Sequence, residues 1–179
     1  MIGFLANTIG KWKLERAALN SNRISEAINL SEMKSAILIF DLTEKLEYQK
    51  IVEFVKLLKS ENVKQVEVIG FTLNKEIPTF INKSLVKVLG KDDINFFGIP
   101  SENFCDAIFD QSFDVMIDCT RSSNIPTDFL LANINAKTKV GSPQKETDEY
   151  FDLLVNTNNN ELNDYMKNVI HFLKMINKR

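Results

Sequence analysis

Asp41, Thr43, Thr72, Asp118, Thr120, Arg121 and Ser142 are the residues of this 179-residue sequence best placed to do chemistry. Each follows a run that reads as a strand: Ala36-Ile37-Leu38-Ile39-Phe40 leads into Asp41, Val66 to Phe71 into Thr72, and Phe113-Asp114-Val115-Met116-Ile117 into Asp118. In open α/β sheets ligands bind beyond the carboxyl ends of the strands. Two carboxylates there could share a hard cation such as Mg²⁺, threonine hydroxyls could orient a polar ligand, and an arginine could hold an anionic group. The same residues also suit purely structural work. Asp41 stands three residues before Glu44, as an N-cap pair opening a helix would, and Asp118 suits a cap on the turn from Thr120 to Asn124.

Other centres are poorly supplied. His171 is the only histidine, and its position opposite the Leu162, Val169, Leu173 stripe predicts a solvated surface residue. That removes the usual general base and with it a Ser-His-Asp or Cys-His centre. Cys119 lies beside Asp118 but has no partnered base, and Cys105 and Cys119 form neither a CxxC pair nor a metal spacing. Both are expected as buried thiols in a reducing cytoplasm. The glycines at 3, 10, 70, 90, 98 and 141 never form GxGxxG or a Walker loop, so standard nucleotide phosphate binding is disfavoured. No cofactor and no dedicated metal site are expected, although phosphate binding at a bare helix N-terminus stays open.

Composition supports a single globular domain, with 44% hydrophobic and 26% charged residues. A net charge of -2 argues against nucleic acid, whose binding needs a basic excess. The skew to 18 Lys over 4 Arg, with 19 Asn and 18 Ile, is that of an AT-rich genome and carries little structural meaning. Charge is unevenly spread: residues 101–160 hold four bases and ten acids, a local -6, while 1–34 hold five bases and three acids. The acidic stretch reads as a solvated face that could also meet a cation or a basic partner. No run approaches 18 apolar residues, and the apolar start lacks a basic n-region, so neither a membrane span nor a signal peptide is expected.

Ile2, Leu5, Ile9 and Trp12 recur at three- and four-residue steps and predict an amphipathic helix over 2–20, with a second short helix at 24–30. Leu5, Ile9 and Trp12 are its candidate docking residues, for the protein's own sheet, a homodimer partner or another protein; its few bases make a weak case for a membrane. From Ser35 strands and helices alternate: strands at 36–41, 66–71, 94–97, 113–118, 137–141 and 150–156, and helices to about 60, at 82–89, 101–111, after Pro126, and at 161–176. Such alternation predicts an α/β domain with a doubly wound, Rossmann-like, mostly parallel sheet in three layers. Only residues 142–149 separate the last two strands, too few for a helical crossover, so an antiparallel C-terminal edge hairpin is expected. The implied organisation is an N-terminal helical extension, 1–34, and a single α/β domain, 35–179.

The segments Ile94-Asn95-Phe96-Phe97-Gly98-Ile99-Pro100, Phe113 to Asp118, Ala136 to Gly141 and Tyr150 to Val155 resemble a small family of uncharacterised Bacteroidetes-type α/β proteins. The resemblance implies the fold and assigns no activity, cofactor or functional residue. Two classes of function remain. A non-catalytic binding or assembly module is favoured by the lack of a catalytic base, a phosphate loop and a recognisable nucleophile. The alternative is a small-molecule or Mg-dependent enzyme, with Asp41 and Asp118 as carboxylates, Thr72 and Thr120 orienting, and Arg121 holding an anion.

Overall fold

A computed structural model describes residues 23–74, 76–143, 148–157 and 161–177. The predicted helix at 2–20, with Leu5, Ile9 and Trp12, lies outside them.

Six strands, β1 (Ser35–Asp41), β2 (Gln65–Phe71), β3 (Lys87–Leu89), β4 (Ser112–Cys119), β5 (Asn135–Gly141) and β6 (Leu153–Leu154), form one sheet in the order β3-β2-β1-β4-β5-β6. All five pairings are parallel. This is the doubly wound order, in which the chain winds outward from β1 on one side and from β4 on the other. Among the described residues four α-helices cover the sheet: α1 (Lys45–Ser60), α2 (Glu102–Phe109), α3 (Ile125–Asn133) and α4 (Leu162–Met175). The central strands are apolar on both faces because both are covered. Ala36, Leu38 and Phe40 of β1 face the layer of α1 and α4, whereas Ile37 and Ile39 face α2 and α3.

Helix α1 buries Tyr48, Ile51, Phe54, Val55 and Leu58 on one stripe. It ends where Asn62 takes a left-handed φ of 69° and the Val63 amide returns to the Leu58 carbonyl, turning the chain into β2. Helix α3 begins at Asn124, whose side chain accepts the Thr127 amide, and Pro126 sits in its first turn. No helix among the described residues is long and apolar enough to cross a membrane.

The expected helix over 82–89 is instead a turn that runs into β3, and three further expectations need correction. The C-terminal edge is not an antiparallel hairpin: β6 pairs parallel with β5, Val140 opposite Leu153 and Gly141 opposite Leu154. A parallel return normally needs a helix because it must travel back the length of a strand. Here β6 is two residues long and pairs only with the carboxyl end of β5, so the chain has almost nothing to retrace. Secondly, the third strand is Lys87–Leu89 rather than 94–97. Asn95 turns the latter stretch instead, its side chain accepting the amides of Phe97 and Ile99, with Gly98 at φ 80°. Thirdly, residues 24–30 form no helix. They lie extended against β5, the Glu26 amide on the Lys137 carbonyl and the Ile28 amide on Thr138 Oγ1, and they carry Ile28 and Leu30 into the core.

At the end of β5 a glycine is required by contact. A Cβ on Gly141 would come within 2.6 Å of the Phe151 ring. Gly141→Ala is therefore expected to lose about 1–3 kcal/mol of stability through overpacking, and Phe151→Leu should recover much of that loss in the double variant. Thermal melts of the two single variants and the double variant check this; an unchanged melt for Gly141→Ala would refute the contact.

Candidate functional site

The order of strands reverses between β1 and β4, and there the crossovers leave in opposite directions. In folds of this kind that crevice is where ligands bind. Register places Ile39 opposite Asp118 and Phe40 opposite Cys119, so Asp41 and Thr120 come next on their strands. The sequence candidates Asp41, Asp118, Thr120 and Arg121 are thus brought to one place. Thr72 stands farther along the edge, at the end of β2.

Asp41, Thr72, Asp118, Thr120 and Arg121 are each engaged in hydrogen bonds within the protein. Asp41 Oδ2 accepts the Arg121 amide at 2.7 Å, tying the end of β1 to the turn after β4. The Arg121 guanidinium donates to Glu47 Oε1 at 2.7 Å, and Lys50 joins Glu47 to Glu161 at 3.5 Å on each side. Arg121 is half exposed, so this ion pair orients more than it stabilises. Asp118 is buried, and its Oδ1 accepts both the amide (2.9 Å) and the hydroxyl (2.8 Å) of Thr120. Thr72 is buried and its hydroxyl oxygen accepts the Asn74 amide at 3.2 Å. Thr43 is exposed and Ser142 half-buried.

Asp41 is not the cap of α1. That position falls to Glu44, which makes no side-chain cap hydrogen bond, while the Asp41 carboxylate is drawn across the sheet to Arg121. Glu44 and Glu47 nonetheless place negative charge at the helix N-terminus, where a phosphate would otherwise be favoured. Among the described residues no group of three or more His, Cys, Asp or Glu is placed to hold a metal ion. Cys105 and Cys119 are free and buried, and burial together with Asp106 pushes the Cys105 thiol up to about 11, against the pull of Lys87. Cys105 therefore stays protonated and inert. His171 is exposed on α4, edge-on to Phe172.

Three polar groups with structural weight escaped the sequence reading. Lys139 of β5 is buried with its ammonium on the Leu131 and Ala132 carbonyls, at the C-terminal end of α3. In sequence it stands between Thr138 and Val140, both also buried, so a charged residue inside a wholly buried strand end was the available signal. Asp152 gathers Arg23, Ser25 and the Lys139 amide, contacts between segments far apart in the chain that no local pattern announces. Tyr165 of α4 is buried, and its hydroxyl has no hydrogen-bond partner among the described residues. Burial, then the charges of Cys119 and Asp118, raise its pKa well above the usual 10.

An unpartnered buried hydroxyl costs about 1–3 kcal/mol, so Tyr165→Phe should be as stable as wild type or more so. Urea denaturation measures it; a clear loss of stability would mean the hydroxyl has a partner that matters.

Beside the polar residues the carboxyl edge presents apolar ones to solvent. Leu46 in the first turn of α1 is 57% exposed, Leu73 after β2 63%, and Phe96 after β3 68%. Phe96 meets Phe97 edge-to-face at 5.7 Å on the loop that Gly98 rests against Ile125 of α3. Single exposed apolar residues are ordinary; these three follow three neighbouring strands, Leu46 in the helix after β1 and Leu73 and Phe96 in the loops after β2 and β3.

No curated protein matches the chain. Residues 7–176, nearly the whole length, match the model of a family of unknown function, and the chain belongs to that family, DUF6913.

Proposed function

We propose that this protein is a non-catalytic binding module whose docking face is the carboxyl rim of its sheet. The observation that carries the reading is the commitment of the rim's polar side chains: Asp41 holds the Arg121 amide, Asp118 holds Thr120, Arg121 meets Glu47, and Thr72 closes on Asn74. Catalysis at this place would draw on the same groups. Leu46, Leu73 and Phe96 supply apolar surface for a macromolecular contact. Buried free thiols suit a reducing compartment, the cytoplasm. The enzyme alternative would use Asp41 and Asp118 as a cation pair, with Thr72, Thr120 and Arg121 on the substrate. Against it stands the pairing of Arg121 with Glu47, which engages the cation that would hold an anionic substrate.

The test is pairwise binding between the purified protein and a purified partner obtained from it. Leu73→Asp with Phe96→Asp should abolish binding, while Asp118→Asn, which keeps the acceptor for Thr120, should leave it intact. The opposite pattern, loss with Asp118→Asn and retention with the rim variant, contradicts the proposal.

A further inference from the structure

We infer that the partner of the carboxyl rim is a second copy of this chain, which presents the surface around Phe172 and Met175 at the opposite end of the sheet. Copies then associate head to tail. This rests on the docking reading above and names its occupant.

The amino end of the sheet carries an apolar surface of its own. Phe172 is 40% and Met175 64% exposed near the end of α4. Helix α4 leaves the carboxyl end after β6 and runs back along the sheet, so its last turn reaches the amino end. There the Leu30 amide meets the Leu173 carbonyl, and Asn29 Nδ2 meets the Lys174 and Ile176 carbonyls, shortly before β1 begins at Ser35. Leu46, Leu73 and Phe96 stand at the other end. One copy cannot bring the two surfaces together, but a second copy can.

The two ends also differ in charge. Among the described residues of 42–47, 72–77 and 90–96, Glu44, Glu76, Asp92 and Asp93 stand against Lys45 and Lys91, a net of -2. Glu47 is left aside because Arg121 pairs with it. In 30–34, 59–64 and 171–177, which surround Phe172 and Met175, Lys34, Lys59, Lys64 and Lys174 stand against Glu32 and Glu61, a net of +2. Lys174 reaches Glu61 at 2.7 Å, which joins α4 to the end of α1 in one patch. Rim against rim would set acid against acid, whereas rim against the amino end sets opposite charges around apolar centres. Such a contact is heterologous, and each added copy leaves one rim and one amino-end surface free.

Sedimentation velocity of the full chain tests this. The weight-average mass of the wild type should rise with concentration past two copies, and the rise should shrink in high salt. Leu73→Asp with Phe96→Asp keeps the amino-end surface intact, and Phe172→Asp with Met175→Asp keeps the rim intact. Each variant alone should stay monomeric, whereas a mixture of the two should form a heterodimer and nothing larger. Circular dichroism checks that both are folded; if Phe172→Asp disturbs the fold, Met175→Asp with Lys64→Glu takes its place. A wild type that stays monomeric at every concentration overturns the inference, as does a mixture that fails to associate. Self-association of the Phe172, Met175 variant by itself would assign the contact to rim against rim and overturns it too. A monomeric wild type whose rim variant still loses a purified partner leaves the docking face standing and refutes only the second copy as its occupant.

Discussion

Between pH 7 and 10 the protein should become more stable as the pH rises, by a few kcal/mol, and Lys139→Met should remove most of that rise. Burial lowers the Lys139 pKa from 10.5 to about 7, with Arg23 adding to the effect and Asp152 opposing it. In the unfolded chain the lysine keeps its ordinary value, so throughout this window the unfolded state binds more protons than the folded one. Stability then increases with pH. Below pH 7 the full cost of a buried ammonium is carried; toward 10.5 it is relieved. Each pKa unit is worth about 1.4 kcal/mol, and the two helix carbonyls that accept from Nζ favour the ammonium and reduce the total. Above pH 10 the trend should reverse, because Tyr165 ionises in the unfolded chain before it does in the folded one. Methionine in place of Lys139 leaves the Leu131 and Ala132 carbonyls unpaired, at about 1 kcal/mol each, so the variant should be weaker than wild type near pH 9 and close to it near pH 6. Urea denaturation across this range decides it. A wild type whose stability is flat from pH 7 to 10 would mean the ammonium is not penalised.

Asp152→Ala should cost about 2–4 kcal/mol and release the 23–30 segment from the sheet. The carboxylate accepts two bonds from Arg23, one from the Ser25 hydroxyl and one from the Lys139 amide, all between 2.6 and 2.8 Å. Removing it leaves a mostly buried guanidinium without its anion and undoes the link between the N-terminal segment, β5 and the start of β6. Hydrogen exchange gives the local readout: the amides of Glu26 and Ile28, bonded to the Lys137 carbonyl and Thr138 Oγ1, should lose protection well before those of β1. The same group predicts behaviour in acid. Burial alone would raise the Asp152 pKa, but Arg23, Ser25 and the Lys139 amide bring it below the usual value. Its contribution is therefore complete above the unfolded value near 4 and is lost as pH falls through the lower folded one. Asp152→Asn should accordingly flatten the acid limb below about pH 4. Asp114 should add to that limb, since the amides of Lys34 and Ser35 and the Lys137 ammonium overcome its burial and lower its pKa.

What the amino-acid sequence made legible was whatever depends on near neighbours. Strands β1 and β4 announce themselves as apolar runs because both of their faces are covered, and α1 and α4 as stripes at helical spacing. The parallel α/β class follows from their alternation. Short elements stabilised by distant partners were not legible. β3 has three residues and takes its strand character from pairing with Ile69 to Phe71, while Ile94 to Phe97 is rich in strand-forming residues but is bent by Asn95 and Gly98. The direction of β6 was misread because a loop of eight residues was weighed without knowing that the strand it serves has only two. At the carboxyl edge the positions of Asp41, Asp118, Thr120 and Arg121 could be anticipated from strand ends, but their partners could not. Asp41 suits a local cap by spacing, yet its bond is to an amide 80 positions away. Tyr165 and Asp152 are similarly non-local, and only Lys139, charged within a buried strand, left a trace in the pattern.

The central claim is that the polar residues where β1 and β4 diverge hold loops rather than a substrate. A thermal-shift panel of Mg²⁺, Mn²⁺, nucleotides and sugar phosphates tests it most directly, because a ligand that binds only the folded state raises the melting temperature. The account predicts no ligand-dependent rise for the wild type. A rise with any of these compounds that Asp118→Asn or Asp41→Asn abolishes would contradict it and restore a small-molecule site at the carboxyl ends of the strands.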